Sequence, residues 1–344
     1  LVSTASARPS GTLSLALVGC GAISHVHVPA IRAGAPRTRV TAVVDVDPAR
    51  ADALAAECGA RAFGDLGEAL ASGTFDAVDL MLPHHLHEEA SVRCFEAGKH
   101  VLLEKPLAND PGACERILEA ARRAGTVFQV AENSQYWPEV LTARDLLASG
   151  AIGEVLTARA AFVVPPMPEF YGGKAPWRLD LAAAGGGIAL DTGSHWIRPL
   201  RMWLGEVDAV VGATGRPWEA MQGESLVRAL LRFRSGVVAS LDGLLKAPPF
   251  APEPMFRISG RAGEISIERP GRVVLFDAES PGGRQVGEEG GYGRSYPGQF
   301  ADFEAAVLDG RALAAGPAVA VGELRTALAL YRSVASGRWE PVWD

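Results

Sequence analysis

A lysine at the end of a predicted strand is the residue of this chain best placed for chemistry. Residues 100–103 form a short aliphatic run bounded by Gly98, and Glu104, Lys105 and Pro106 follow it directly. Open α/β sheets bind ligands at the carboxyl ends of their strands, and a lysine fixed there can hold or protonate a substrate oxygen. A solvated loop lysine whose carbon stem lies along the sheet edge explains the segment equally well.

A second candidate group follows three glycines, residues 185–187, that mark a flexible or closely approached backbone. Asp191 and His195 stand four positions apart, so on a helix they would share one face and meet a common ligand. Histidine titrates near neutral pH, which makes His195 a candidate proton shuttle that a nearby carboxylate would orient. The alternative is an aspartate near a helix N-terminus and a histidine packed against Trp196.

Alternating strands and helices between residues 13 and 131 supply the elements that must position Lys105. Buried strands are predicted over residues 13–18, 40–44, 76–82, 100–103 and 127–131, and helices over residues 48–58, 87–97 and 111–124, with a further helical stretch ending at residue 33. Strands separated by helices in this way indicate an α/β fold with a parallel, doubly wound sheet.

A glycine turn follows the first predicted strand and opens the first helix. Gly19 permits the tight turn, and Gly21 lets a pyrophosphate approach the backbone at the helix N-terminus. The third position of the usual pattern is Ser24, which is small enough for close helix packing. Asp45 closes the second strand, where an acid accepts both ribose hydroxyls, and Val46 follows in place of a base; this favours NAD over NADP. The alternative is a glycine turn with a chance aspartate.

The second half of the chain is rich in strands. Helices are predicted over residues 137–149, 300–308 and 321–335, and strands over residues 155–164, 225–233, 237–245, 256–259, 264–268 and 272–276. Short turns separate several of these strands, which predicts a large open, mainly antiparallel sheet in an α+β domain. Residues 281–293, rich in Gly and Glu, are expected to form a mobile loop.

The composition restricts the class of protein. The chain has 344 residues, enough for two domains, and its apolar content of 48% is ordinary for a globular protein. A net charge of −7 argues against nucleic-acid and anionic-membrane surfaces, and no apolar stretch is long enough to span a bilayer. Four scattered cysteines without a CxxC pair predict a reducing cytoplasm, and residues 1–12 are expected to be a loose leader.

Five features that follow one another along nearly the whole chain resemble the glucose–fructose oxidoreductase / inositol 2-dehydrogenase / rhizopine-catabolism (Gfo/Idh/MocA) family. They are the glycine turn, Asp45, Pro83-His84-His85-Leu86-His87, Glu104-Lys105-Pro106, and the triple glycine with Asp191 and His195. The resemblance implies a Rossmann domain over residues 1–132 that binds a nicotinamide cofactor. It implies a substrate-binding α/β domain over residues 133–344, whose sheet would form the interface of a homodimer or homotetramer.

The resemblance also implies roles for individual residues. Lys105 would polarise the reacting hydroxyl or carbonyl, His195 would be the general acid/base, and Asp191 would bind substrate and tune His195. The implied cofactor contacts are Gly19, Gly21, Ala22, Ile23, Asp45, Pro83, His84, His87, Glu104, Lys105, Trp177 and Arg178. The implied substrate contacts are Lys105, Tyr171, Arg178, Asp191, His195 and Arg198, and no metal is expected.

The implied reaction is the NAD-dependent, reversible oxidation of a secondary alcohol of a sugar, inositol or sugar-derived acid. An NAD-dependent glycosidase that oxidises transiently, and a sugar sensor that binds the dinucleotide without turnover, stay open as alternatives. Intact Lys105, Asp191 and His195 argue against the sensor. Arg198 departs from the family, where an acid often stands three residues after the histidine, and it indicates either an anionic substrate or a salt bridge.

Overall fold

The computed structural model describes residues 11–172, 176–246 and 254–343. Their strands form two sheets. Most of the leader expected over residues 1–12 lies outside these ranges. No helix formed within them is long and apolar enough to cross a lipid bilayer.

The first sheet has six parallel strands in the order β3-β2-β1-β4-β5-β6. Its strands are Leu13–Val18 (β1), Thr38–Val44 (β2), Arg61–Phe63 (β3), Ala77–Leu80 (β4), His100–Glu104 (β5) and Phe128–Ala131 (β6). The helices between them are Ser24–Gly34 (α1), Pro48–Cys58 (α2), Leu66–Ser72 (α3), His87–Glu96 (α4) and Pro111–Ala124 (α5). The predicted doubly wound sheet is confirmed, and β3 and α3 are additions to the predicted elements.

The strand order of the first sheet determines where its ligand crevice lies. Strand β1 is buried along its whole length, as an apolar run covered by helices on both faces should be. The order reverses between β1 and β4, so the crevice opens at the carboxyl ends of these strands. Lys105 directly follows β5, the neighbour of β4, and therefore stands at the same edge.

The second sheet has nine strands in the order β14-β13-β12-β11-β7-β10-β9-β8-β15. They are Val155–Val164 (β7), Val207–Gly215 (β8), Leu226–Phe233 (β9), Val238–Leu245 (β10), Phe256–Gly260 (β11), Gly263–Glu268 (β12), Arg272–Asp277 (β13), Arg284–Val286 (β14) and Glu340–Pro341 (β15). Among the described strands of this sheet only β7 and β10 pair in parallel, so the mainly antiparallel prediction is confirmed. Strand β14 lies inside residues 281–293, so part of the segment expected to be a mobile loop pairs with β13.

Helices cover one face of the second sheet and leave the other open. The helices of this half of the chain are Pro138–Ala148 (α6), Pro168–Tyr171 (α7), Leu181–Ala184 (α8), Ser194–Leu204 (α9), Tyr296–Asp309 (α10) and Val321–Ser336 (α11). Of these, α6, α9 and α11 pack against the sheet. Residues of β9 and β10 alternate between buried and more exposed positions, and Leu230 on the open face is 44% exposed. Asp242 pairs there with Arg159 and Arg228. This open face is the surface expected for oligomerisation, which stays a prediction.

Two C-terminal helices return to the first sheet. Tyr296, Phe300 and Phe303 of α10 are buried in one core with β1 and α1, and Leu324 and Ala327 of α11 are buried in another with β4 and β5. The domain boundary after residue 132 stays a prediction, because the cores of the first sheet include residues from the far end of the chain.

Candidate active site

The turn between β1 and α1 has the shape that a dinucleotide requires. Gly19 has φ +96, and a Cβ there would lie 2.4 Å from the carbonyl oxygen of Met81, so only glycine fits. A Cβ at Gly21 would meet no atom within 4 Å, which leaves open space above the start of the helix. Ser24 is fully buried and its hydroxyl donates to the carbonyl of Gly21 at 2.7 Å, so serine closes the turn in place of the third glycine. Ala22 and Ile23 complete the turn.

Asp45 ties the end of β2 to this glycine turn. Its Oδ2 accepts a hydrogen bond from the backbone N–H of Cys20 at 2.7 Å, and its Oδ1 accepts one from Asp47 at 2.8 Å. The neighbouring Val46 is 92% exposed and carries no charge that would attract a 2′-phosphate. Open space at the helix N-terminus and an anchored acid beside it fit a bound NAD.

Lys105 is held by a carboxylate from the other half of the chain. Its Nζ donates to Oδ1 of Asp191 at 2.5 Å and to the backbone carbonyl of Asp191 at 3.0 Å. The second oxygen, Oδ2, accepts a hydrogen bond from Nε of Arg178 at 3.0 Å. Burial favours the neutral acid, but Lys105 and Arg178 outweigh it and hold the pKa of Asp191 well below its usual range. One carboxylate thus fixes two cations.

A glutamate braces the glycine run that precedes Asp191. The carboxylate of Glu224 accepts hydrogen bonds from the backbone N–H groups of Gly187 at 3.0 Å and Ala189 at 2.8 Å, and from the hydroxyl of Tyr331 at 3.0 Å. A Cβ at Gly187 would lie 2.1 Å from the backbone oxygen of Glu224, so the close backbone approach predicted for the glycines is observed. This bracing fixes the turn that carries Asp191.

The rings of His84 and His87, which follow β4, are buried near the Lys105–Asp191 ion pair. His84 Nδ1 lies 2.8 Å from the carbonyl oxygen of Ala184, and its ring meets Trp177 edge-on at 4.4 Å between centroids. Burial holds the pKa of His84 well below its usual range, so the ring is neutral. His87 lies between two carbonyl oxygens, those of Pro106 and Leu82, and joins the segments that follow β4 and β5.

His195 takes its hydrogen-bond partner from the end of β6. The distance from His195 Nδ1 to Oε1 of Glu132 is 2.6 Å, and both side chains are buried. Burial opposes ionisation of Glu132, but His195 and Arg198 outweigh it and keep the pKa of Glu132 far below its usual range. The expectation that Asp191 and His195 share a helical face is wrong, because α9 begins only at Ser194 and leaves Asp191 in the preceding turn. Glu132 is the carboxylate bonded to Nδ1.

Arg198 is used in a buried salt bridge. Its Nε and Nη2 each donate to Glu323 at 2.9 Å, and its Nη1 donates to Gln135 at 2.8 Å. The residue is 3% exposed. The assignment of Arg198 to substrate binding is therefore corrected, and the salt-bridge alternative describes its contacts.

Tyr171 and Pro83 lie at the margins of the site. Tyr171 meets Trp218 edge-on at 5.3 Å, and burial together with the charge of Asp191 raises the pKa of Tyr171. Pro83 precedes the short 3-10 helix that carries His84. Direct contacts thus join Lys105, Asp191, Arg178, Trp177 and His84 around one site, the cleft at the carboxyl end of β5. Glu132 and Glu224 are the side chains that local spacing missed.

Comparison with known families identifies this arrangement. Residues 13–132 match the model of an oxidoreductase family with an NAD-binding Rossmann fold, GFO_IDH_MocA, and residues 140–266 match the GFO/IDH/MocA C-terminal domain. The chain belongs to this family. The resemblance drawn from the motifs is confirmed, and the Lys105–Asp191 contact joins the two matched regions of this GFO/IDH/MocA member.

Relatives of this GFO/IDH/MocA member include sugar reductases. It is 33% identical to dTDP-3,4-didehydro-2,6-dideoxy-alpha-D-glucose 3-reductase of Actinomadura kijaniata, over 67% of each protein. It is 30% identical to 1,5-anhydro-D-fructose reductase of Ensifer adhaerens, over 87% of this chain and 90% of that protein. The solved structure of GenD2 from gentamicin A biosynthesis in complex with NAD aligns with a TM-score of 0.80 at 29% identity and covers 99% of both chains. The protein is therefore an enzyme of an NAD-binding sugar oxidoreductase family.

Proposed function

We propose that this enzyme reversibly oxidises a secondary alcohol of a sugar, inositol or sugar-derived acid, with NAD as hydride acceptor. The observation that carries the proposal is the Lys105–Asp191 ion pair at the carboxyl end of β5, beside a turn that fits a dinucleotide. A cation fixed at this edge can stabilise the negative charge that develops on a reacting oxygen. Asp45 and the turn from Gly19 to Ile23 would hold the cofactor, and NAD supplies the hydride-accepting carbon.

We assign the transfer of the substrate's hydroxyl proton to His195. Nε2 would take the hydroxyl proton while Lys105 stabilises the alkoxide, and the Glu132 carboxylate at Nδ1 would stabilise the imidazolium that results. In the reverse direction the same imidazolium would protonate the alkoxide formed from a carbonyl. Asp191 would keep Lys105 oriented and contact substrate hydroxyls, with Arg178 and Tyr171 beside it.

The structure supports the NAD preference through Asp45 and Val46, since a carboxylate repels a 2′-phosphate. We also propose a cytoplasmic location, inferred from the cysteines, and a homodimer or homotetramer formed through the open sheet face. The names of the relatives favour oxidation and reduction of sugars over transient oxidation by a glycosidase or binding by a sensor.

A substrate panel tests the proposal. Free sugars, inositols, sugar acids and nucleotide sugars are mixed with the enzyme and NAD, and NADH absorbance is followed. A second set holds aryl glycosides. We expect NADH from at least one alcohol, with the rate reduced about a thousandfold or more in Lys105→Met.

Lys99→Met is the matched control for Lys105→Met. Lys99 Nζ donates to the carbonyl of Phe75 at 2.8 Å, before the start of β5, so its removal should leave the rate within about twofold. Aglycone release without net NADH would support the glycosidase instead. Tight NADH binding with no turnover of any compound would support the sensor.

A further inference from the structure

His27 lies on the inner side of α1, fully buried between two carboxylates. Its Nδ1 is hydrogen-bonded to Oδ2 of Asp79 in β4 at 2.8 Å. Its Nε2 lies 3.1 Å from Oε1 of Glu104 at the end of β5, a charge contact without hydrogen-bond geometry. The ring meets Phe300 edge-on at 5.1 Å and Tyr296 at 5.5 Å between centroids, both from α10. A single imidazole thus joins the glycine-turn helix, two strands and a helix of the C-terminal part.

The two carboxylates determine the charge of this ring. A neutral imidazole has one N–H and would place the lone pair of its other nitrogen against a carboxylate, whereas the imidazolium carries an N–H and positive charge toward both carboxylates. Burial disfavours the charged ring, but Asp79 and Glu104 outweigh it and raise the pKa of His27 to about 10. The groups that α10 presents to the ring, Tyr296 and Phe300, carry no opposing charge.

Glu104 and Lys105 are neighbours in sequence, yet each pairs with a different residue. The Glu104 carboxylate is directed inward to His27, and the Lys105 ammonium is directed to Asp191. We propose that His27 is a positioning residue: anchored by Asp79, its imidazolium holds Glu104 and so keeps Lys105 paired with Asp191 in the cleft. The proposal rests on the proposed function for the role of Lys105, and it concerns a residue that the reaction itself does not use.

Loss of the His27 charge has a specific consequence at the site. Glu104 would become a carboxylate without its buried cation, and Lys105 is the adjacent cation that could neutralise it. Glu104 would then compete with Asp191 for Lys105, and the end of β5 would shift where the cofactor is expected. Neutralising Glu104 as well should remove this competition.

A double-mutant cycle tests that consequence. The four proteins are wild type, His27→Gln, Glu104→Gln and the double variant, each measured for NADH affinity by quenching of tryptophan fluorescence and for turnover of the substrate found in the panel. We expect His27→Gln to lose about tenfold or more in turnover, and the double variant to stay within about twofold of Glu104→Gln. Losses that multiply in both readouts would show that His27 only fills space and would overturn the proposal.

His100→Gln is the matched control for His27→Gln. His100 begins β5 at the opposite edge of the sheet, and its Nδ1 accepts the backbone N–H of Val127 at 2.9 Å, a bond that a glutamine carbonyl can replace. NADH affinity and turnover should remain within about twofold of wild type. Should His27→Gln fail to fold, Asp79→Asn removes the anchor instead and is carried through the same cycle with Glu104→Gln.

Nuclear magnetic resonance of the wild-type enzyme tests the charge directly. With ¹⁵N-labelled histidine, the resonances absent from His27→Gln belong to His27, or those shifted in Asp79→Asn if that variant is used. We expect two ring N–H protons at about pH 8.5, where an ordinary histidine is neutral; one N–H would overturn the proposal. Resonances and NADH affinity need no substrate, so an enzyme that oxidises nothing in the panel would defeat the proposed function without deciding the role of His27.

Discussion

His195 and Glu132 form a buried hydrogen bond of 2.6 Å between Nδ1 and Oε1. The histidine comes from the start of α9 and the glutamate from the end of β6, so the bond links the two halves of the chain across the cleft. It fixes the orientation of the imidazole and places a negative charge beside it. An imidazole held in this way is prepared to accept a proton at Nε2.

Replacing Glu132 by Gln should lower kcat about a hundredfold or more and change KM by less than about threefold, because the amide cannot stabilise the imidazolium. Ser134→Ala is the control, since the Ser134 hydroxyl donates to the same Oε1 at 2.6 Å but lies outside the reaction. It should cost less than about threefold in kcat. Steady-state kinetics with the substrate found in the panel measure kcat and KM of both variants. An undiminished kcat in Glu132→Gln would remove this residue from the mechanism.

Asp191→Asn should lower kcat/KM about a hundredfold, because Lys105 and Arg178 lose the carboxylate that they share. The two uncompensated cations should also make the variant sensitive to sulfate, which would bind between them. The readout is inhibition by sulfate at constant ionic strength. Asp180→Asn, a change at the N-cap of α8, should show neither effect. Equal sulfate inhibition in both variants would contradict the pairing of Lys105 and Arg178 through Asp191.

Asp45→Ala should weaken NAD binding about tenfold or more while changing NADP affinity by less than about threefold, since the carboxylate accepts ribose hydroxyls but opposes a 2′-phosphate. Calorimetric titration of both cofactors measures this. The control is Asp47→Ala, which removes the N-cap of α2 and should affect stability and not discrimination. The cofactor preference is refuted by equal losses for NAD and NADP in Asp45→Ala.

Arg198→Met should destabilise the fold by about 3 kcal/mol in urea unfolding, because Glu323 remains buried with Arg201 as its remaining cation. KM for neutral and for anionic substrates should change equally. If Arg198 instead recognised an anionic substrate, KM for sugar acids alone would rise and the free energy of unfolding would change little.

The stability of the wild type relative to His27→Gln should depend on pH. The pKa of His27 rises from 6.5 to about 10 on folding, so its contribution is complete below about pH 6.5 and is lost as pH rises through about 10. Urea unfolding at several pH values in this window should therefore show the difference between the two proteins shrinking as pH increases. A difference that stays constant or grows with pH would indicate a neutral ring.

Sequence patterns predicted the placement of a residue correctly where a single strand or helix sets its position. The apolar runs predicted the parallel strands, and from them the placement of Lys105 and Asp45 at strand ends followed. The pattern failed where partners are distant: Arg198 and Glu323 are 125 positions apart, and only the folded chain brings them together. Spacing also misled for Asp191 and His195, because the rule for positions four apart applies only when both lie within the helix.

The return of α10 to the first sheet limits how this enzyme can be recombined with its relatives. An exchange of the whole C-terminal half would replace Tyr296, Phe300 and Phe303, which complete the core around β1 and α1. A hybrid built to acquire a new substrate should therefore take only the strands and loops between α6 and α10, and should inherit the last two helices from the parent that supplies the glycine turn.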